Sequence, residues 1–142
     1  MVLAGLFMGV PGRCLGIAAG GGPFAFTAGR MEDGFAARPD FSAVDSRTLP
    51  RSYLAHENAE GKIVPARFYI ASLVHDPEAL RLLLKLFGAN RVALGSDYPF
   101  PLGEERAGAL VEAMTDLSAP QRSQILAGTC QEFLALPEFT PA

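Results

Sequence analysis

Asp97 stands where a short apolar run, residues 91–95, gives way to the proline-rich turn Tyr98-Pro99-Phe100-Pro101. A carboxylate held at the end of a rigid strand can serve as a hard oxygen ligand for a metal or as a proton acceptor. Aspartate is also common in turns, where it hydrogen-bonds its own backbone, so position alone leaves both roles open. Arg30 is isolated among aromatic and glycine residues. There its planar guanidinium could take a carboxylate through two parallel hydrogen bonds, with an ordinary surface salt bridge as the simpler alternative. His56 and His75 are the two histidines of the chain. They do not show HxH or HxxxH metal spacing, and each reads as structural or solvent-facing. Gly20, Gly21 and Gly22 lack both the GxGxxG pattern and the Gly-Lys-Ser/Thr ending of phosphate loops, and read as a close backbone approach.

These side chains need elements to hold them. Residues 13–19, with Cys14, Leu15, Ile17 and Ala18 apolar, read as a buried strand that stops at the glycine triplet. Residues 23–35 mix aromatic and small side chains, and Phe24, Phe26 and Phe35 are expected to anchor a core. Residues 36–67 shift toward Pro, Asp, Ser, Arg and Glu, which predicts an exposed excursion with short helical turns. Residues 68–74 form a second apolar run. Asp76 as N-cap and Pro77 in the first turn then open a helix, whose Ala79, Leu80, Leu83, Leu84 and Phe87 share one face and which Gly88 stops. Residues 91–95 are the third strand. Ala107, Leu110, Val111 and Met114 mark another amphipathic helix, and Ser118 with Gln121 forms a capping box for a last one through Ile125 and Leu126. This alternation predicts an α/β fold of about three parallel strands with helical crossovers. Working residues of such folds gather at the C-terminal ends of strands, which selects residues 19–22, 72–76 and 96–100.

A length of 142 residues bounds the chain to one domain or a piece of a larger one. Apolar residues make up 49% and charged residues 19%, with a mean hydropathy of +0.21, which points to a buried core rather than disorder. The net charge is -3 with twelve scattered Lys and Arg. No basic stripe of the kind that nucleic acid or an anionic membrane requires is formed. Cys14 and Cys130 are far apart and form no CxxC pair, and are expected to be reduced, buried thiols of a cytosolic protein. Residues 1–10 are apolar without a positive n-region, and Pro11, Gly12 and Arg13 interrupt them well short of a membrane span. They read as the tail of a core helix, as though the chain begins inside an element.

Three segments carry a resemblance: Ala19-Gly-Gly-Gly-Pro-Phe-Ala-Phe-Thr-Ala-Gly-Arg30, Leu73-Val-His-Asp-Pro77 and Gly95-Ser-Asp-Tyr-Pro-Phe-Pro-Leu-Gly-Glu104. In order and spacing the chain resembles the 2-amino-3-carboxymuconate-6-semialdehyde decarboxylase family of the amidohydrolase superfamily over nearly its whole length. The resemblance implies a TIM-type (β/α)8 barrel, which takes about 250 residues or more. Residues 1–142 would then be one partial barrel domain, roughly strands six to eight. It also implies zinc, a homodimer, and a small carboxylate substrate from tryptophan breakdown that loses CO2; in a cytoplasmic protein the missing strands and ligands would come from further copies, as a homo-oligomer, or from a complementing N-terminal chain. By position Asp97 matches the zinc-ligating carboxylate, Arg30 an arginine that reaches the substrate carboxylate in the neighbouring subunit, and Phe100 a residue beside the substrate. The chemistry implied is a metal-acidified water with a histidine assisting proton transfer. A metal-dependent hydrolase of the same superfamily fits Asp97 equally; Arg30 with the turn at 98–101 favours the carboxylate branch.

The chain departs from that pattern in several places. The family's glycine segment begins with a catalytic histidine, and Ala19 occupies that position here. The family's HxH pair and a further histidine ligand would lie upstream of Met1. Ile70 and Ala71 replace a polar pair, residues 56–66 read as an insertion, and Thr129 replaces an asparagine. Catalytic zinc takes about three protein ligands plus water. The chain alone is therefore expected to show little or no activity, and Ala19 favours as second reading a non-catalytic relative acting in binding or dimerisation. The edges of a three-stranded sheet predict self-association.

Overall fold

A computed structural model of the chain describes residues 14–42 and 47–137. The elements in order are β1 (Gly16–Ile17), a tight helical turn at Ala19–Gly21, α1 (Phe24–Ala37), α2 (Pro39–Ser42), a helical turn at Pro50–Tyr53, β2 (His56–Glu57), β3 (Ile63–Val64), β4 (Tyr69–Ala71), α3 (Pro77–Phe87), a turn at Ala89–Arg91, β5 (Val92–Ala93), α4 (Ala109–Ala113), α5 (Ala119–Ser123), a wide helical turn at Gln124–Gly128 and α6 (Thr129–Leu134). The three apolar runs become one parallel sheet in the order β1-β4-β5. Ile17 sits opposite Ile70 and Ile70 opposite Val92. Residues in register in a parallel sheet share a face, so these three point to one side, and Tyr69, Ala71 and Ala93 to the other.

The Ile70 and Val92 side is buried against the helices. Phe68 lies between Phe24 of α1 and Phe87 of α3, with ring centroids 5.6 Å and 5.3 Å away. Tilted and edge-on pairs of this kind add about 0.5–1.5 kcal/mol each beyond their burial. Leu80, Leu83 and Phe87 form the buried face of α3. That helix starts where the Ala79 amide donates to Asp76 Oδ1 at 2.7 Å, with Pro77 in the first turn, and stops at Gly88, whose φ is 84°. Ser118 and Gln121 form the expected capping box at the start of α5. The wide turn and α6 then carry the chain back past β5, where the Leu94 amide donates to the Ile125 carbonyl at 2.9 Å. Among the described residues no helix is long and apolar enough to cross a membrane.

Several expectations need correction. Phe26 is 73% exposed rather than a core anchor. Residues 24–37 are a helix whose inward stripe runs Phe24, Ala28, Met31, Phe35, and Phe26 falls off it by two residues. The excursion is less exposed than its composition implies, because Tyr53, Leu54 and Ala66 enter the core. The apparent insertion folds into an antiparallel hairpin of β2 and β3. Asn58 accepts from the Glu60 and Lys62 amides at its turn. The cysteines are free but not buried, with Cys14 exposed and Cys130 half-buried. The readings of residues 1–10 and of Arg13 lie outside the described residues.

Candidate functional site at the strand ends

Beyond β1, β4 and β5 the backbone turns through Ala19 (φ 46°), His75 (φ 53°) and Asp97 (φ 57°). Left-handed backbone costs a non-glycine residue about 1–2 kcal/mol. Three such residues thus sit at the C-terminal ends of three adjacent parallel strands, where stored strain and functional side chains tend to coincide. The remaining described case, Ala135, follows the end of α6, an ordinary helix-terminating position.

The glycine turn after β1 rests directly on its neighbours. A Cβ on Gly20 would lie 2.6 Å from Val74 Cγ1 and 2.9 Å from Leu83 Cδ1, and one on Gly21 would lie 3.0 Å from Ile70 Cγ2. The Gly21 and Gly22 amides donate to the Ala18 and Ala19 carbonyls at 3.0 Å and 3.1 Å. Two amides that a phosphate cradle would use are therefore committed inside the turn, and close approach is what the triplet provides.

After β5 the chain forms a compact loop over residues 96–104. The Phe100 amide donates to the Asp97 carbonyl (2.8 Å), Gly103 to Phe100 (2.9 Å) and Glu104 to Ser96 (3.1 Å), and the Tyr98 amide donates to Ser96 Oγ. The Tyr98-Pro99 peptide is cis. Asp97, Tyr98, Phe100 and Leu102 are all exposed. At the loop's exit the Glu104 carboxylate accepts from the Gly108 amide at 2.6 Å, leading into α4. An open cavity of about 630 Å³ lies alongside, lined by His75, Glu104, Glu105, Arg106 and Leu110.

Asp97 and Phe100 are thus brought together on one loop, with Ala19 and His75 at the neighbouring strand ends. Arg30 is exposed midway along α1, and among the described residues no hydrogen bond or ion pair joins it to them. His56 is structural, its Nδ1–H donating to the Leu54 carbonyl at 2.9 Å. His75 takes a specific bond that its sequence setting did not reveal: a ring nitrogen 2.6 Å from the carbonyl of Leu102. Its place at a strand end was the available signal. Thr129 is buried and donates to the Ala89 carbonyl at 2.8 Å, which gives it a structural role. Among the described residues no three His, Cys, Asp or Glu side chains converge as a metal site needs. Asp97 alone does not fit a catalytic zinc, which takes about three protein ligands.

Residues 13–136 match the family described as Amidohydrolase, and the chain belongs to that family. Within it the sequence is similar to the 2-amino-3-carboxymuconate-6-semialdehyde decarboxylases of Dictyostelium discoideum, 43% identical over 136 residues, and of Caenorhabditis elegans, 34% identical over 119. These matches take in 96% and 84% of this chain but 35% and 27% of the relatives, so the chain spans about a third of the relatives' length. Among solved structures it resembles the 5-carboxyvanillate decarboxylase of Sphingomonas paucimobilis (TM-score 0.73, 19% identity, 96% of this chain and 38% of that one). It also resembles the apo IDCase of Metarhizium anisopliae (0.71, 23%, 97% and 38%). At such identities the likeness is one of fold: the parallel sheet and its helices correspond to part of a TIM-type barrel, the class expected from the sequence.

Proposed function

We propose that this chain carries part of the active site of a carboxy-lyase of the 2-amino-3-carboxymuconate-6-semialdehyde type, acting on a small carboxylate, and that the 142-residue chain alone is catalytically silent. The observation that carries the reading is the 43% identity to such a decarboxylase over 96% of the chain. In it Asp97 offers a hard oxygen at the strand end, Phe100 an apolar wall for the substrate, and Arg30 a two-pronged clamp for a carboxylate in a neighbouring copy. Loss of CO2 leaves an electron pair that must be stabilised and a carbon that must be protonated. The side chain of Ala19 can do neither, and an acid–base residue typically contributes about 10²–10⁴-fold. Zinc is the metal the reading implies, and among the described residues Asp97 would be its ligand.

The reading also takes residues 1–142 as one partial barrel domain in the cytoplasm, its sheet edges at β1 and β5 covered by further copies or by a complementing chain. A stable, monodisperse monomer in light scattering would count against that assembly. A non-catalytic role in binding or dimerisation is the second reading, favoured by Ala19. The deciding experiment follows CO2 release from 2-amino-3-carboxymuconate-6-semialdehyde by the purified chain with added zinc. Release at the buffer rate is expected. Release that disappears in Asp97→Ala would overturn the silence of the chain while supporting its substrate class.

A further inference from the structure

The loop of residues 96–104 presents three exposed apolar side chains, Tyr98, Phe100 and Leu102, so burial does little to hold it. Its backbone hydrogen bonds are internal, running from Phe100 to Asp97, Gly103 to Phe100 and Glu104 to Ser96. Among the described residues the tip, 97–103, bonds locally to Ser96 at the loop's own base through the Tyr98 amide, and to residues beyond the loop through one hydrogen bond, between His75 and the Leu102 carbonyl, 27 residues apart. A carbonyl only accepts, so the nitrogen concerned, Nε2, must carry a proton and donate. His75 itself is held in left-handed backbone just past β4. Histidine is among the few residue types enriched there, although the conformation is uncommon for any side chain.

We propose that His75 is a positioning residue: its Nε2–H fixes the Asp97–Phe100 turn against the end of β4 and so sets where that carboxylate and that ring stand on the rim. The consequence for chemistry rests on reading this rim as the site; the positioning itself does not. With the donor removed, the loop loses its tie to the sheet, and its internal turns, no longer anchored, open together more often.

The test is residue-resolved amide exchange by NMR on the full chain, comparing wild type, His75→Ala and His75→Gln. Alanine and glutamine both carry a Cβ at this left-handed position, and of the two only glutamine retains a side-chain N–H to offer the carbonyl. In His75→Ala the Phe100 and Gly103 amides should exchange about tenfold faster, the size of one net hydrogen bond. His75→Gln should return most of that protection, while the α3 amides of Leu83, Leu84 and Phe87 stay unchanged. Unchanged loop exchange in His75→Ala, or an equal rise in the loop and α3 of both variants, would overturn the proposal. A measurement on the wild type alone guards against variants that do not fold: ring nitrogen shifts of neutral His75 should show Nε2 protonated and Nδ1 bare, and the opposite tautomer would overturn the proposal. No substrate enters these readouts, so their failure and failure of the carboxy-lyase reading are separable.

Discussion

Gly20 and Gly22 share a positive φ, 63° and 61°, but Gly20 (ψ 18°) lies in the left-handed helical region and Gly22 (ψ -146°) where essentially only glycine goes, and only the first is pressed against its surroundings. A methyl on Gly20 meets Val74 and Leu83, whereas one on Gly22 meets nothing within 4 Å. Gly20→Ala should therefore combine the left-handed cost with overpacking and lose about 3 kcal/mol. Gly22→Ala should lose only backbone strain, about 1–3 kcal/mol, with no added overpacking. Urea denaturation measures both losses, and a Gly20→Ala loss of only about 1 kcal/mol, the left-handed cost alone, would mean that the turn does not rest on Val74 and Leu83. Residue-level features whose partners are near in sequence were legible in advance: Asp76 caps Ala79 three residues on, and Ser118 pairs with Gln121. His75 was not, because its acceptor is 27 residues away and no spacing announces it. The left-handed turns at Ala19, His75 and Asp97 were equally hidden, since none of the three is a glycine.

At the scale of elements, α3 declared itself through a cap, a proline, a clean apolar stripe and a terminal glycine. The longer α1 did not. Its inward stripe is diluted by Ala28, while Phe26 on the opposite side and Gly29 and Gly34 within blur the period. The hairpin of β2 and β3 has two residues per strand, too few for alternation to show. On its outer side α3 is joined to the turn before α5 by Arg81, whose Nε and Nη2 donate to the two Asp116 oxygens at 2.7 Å and 2.9 Å. Arg81 holds the Asp116 carboxyl below the usual carboxylate range. A carboxylate whose folded pKa is depressed contributes stability above its unfolded pKa, about 3.9, and that contribution is lost as pH falls through the lower folded value. Asp116→Asn should thus melt slightly below wild type near neutral pH, with the gap closing in acid and in high salt. Melting temperatures against pH check this, and a gap that widens in acid would contradict it.

For the whole molecule, near-continuous apolar runs alternating with a capped helix were enough to indicate a parallel sheet, because strands covered by helices leave that signature. The order β1-β4-β5 follows it. The sheet's second face carries the small side chains of Ala71 and Ala93, with a pocket of about 190 Å³ between it and Phe133 of α6. The chain spans 38% of each of the two solved structures whose fold it shares, and active sites of TIM-type barrels are built from the ends of several strands. Asp97 and Arg30 were singled out by residue type and setting and given their roles by resemblance, Phe100 by resemblance alone, and the structure gathers Asp97 and Phe100 on one loop while leaving a metal-ligand set incomplete among the described residues. The proposed reading, in which the chain carries part of a carboxy-lyase rim without a metal centre of its own, is tested most directly by zinc content. After expression in zinc-supplemented medium and exhaustive dialysis, elemental analysis should find essentially no zinc per chain, in wild type and Asp97→Ala alike. A stoichiometric zinc that is lost in Asp97→Ala would contradict the account.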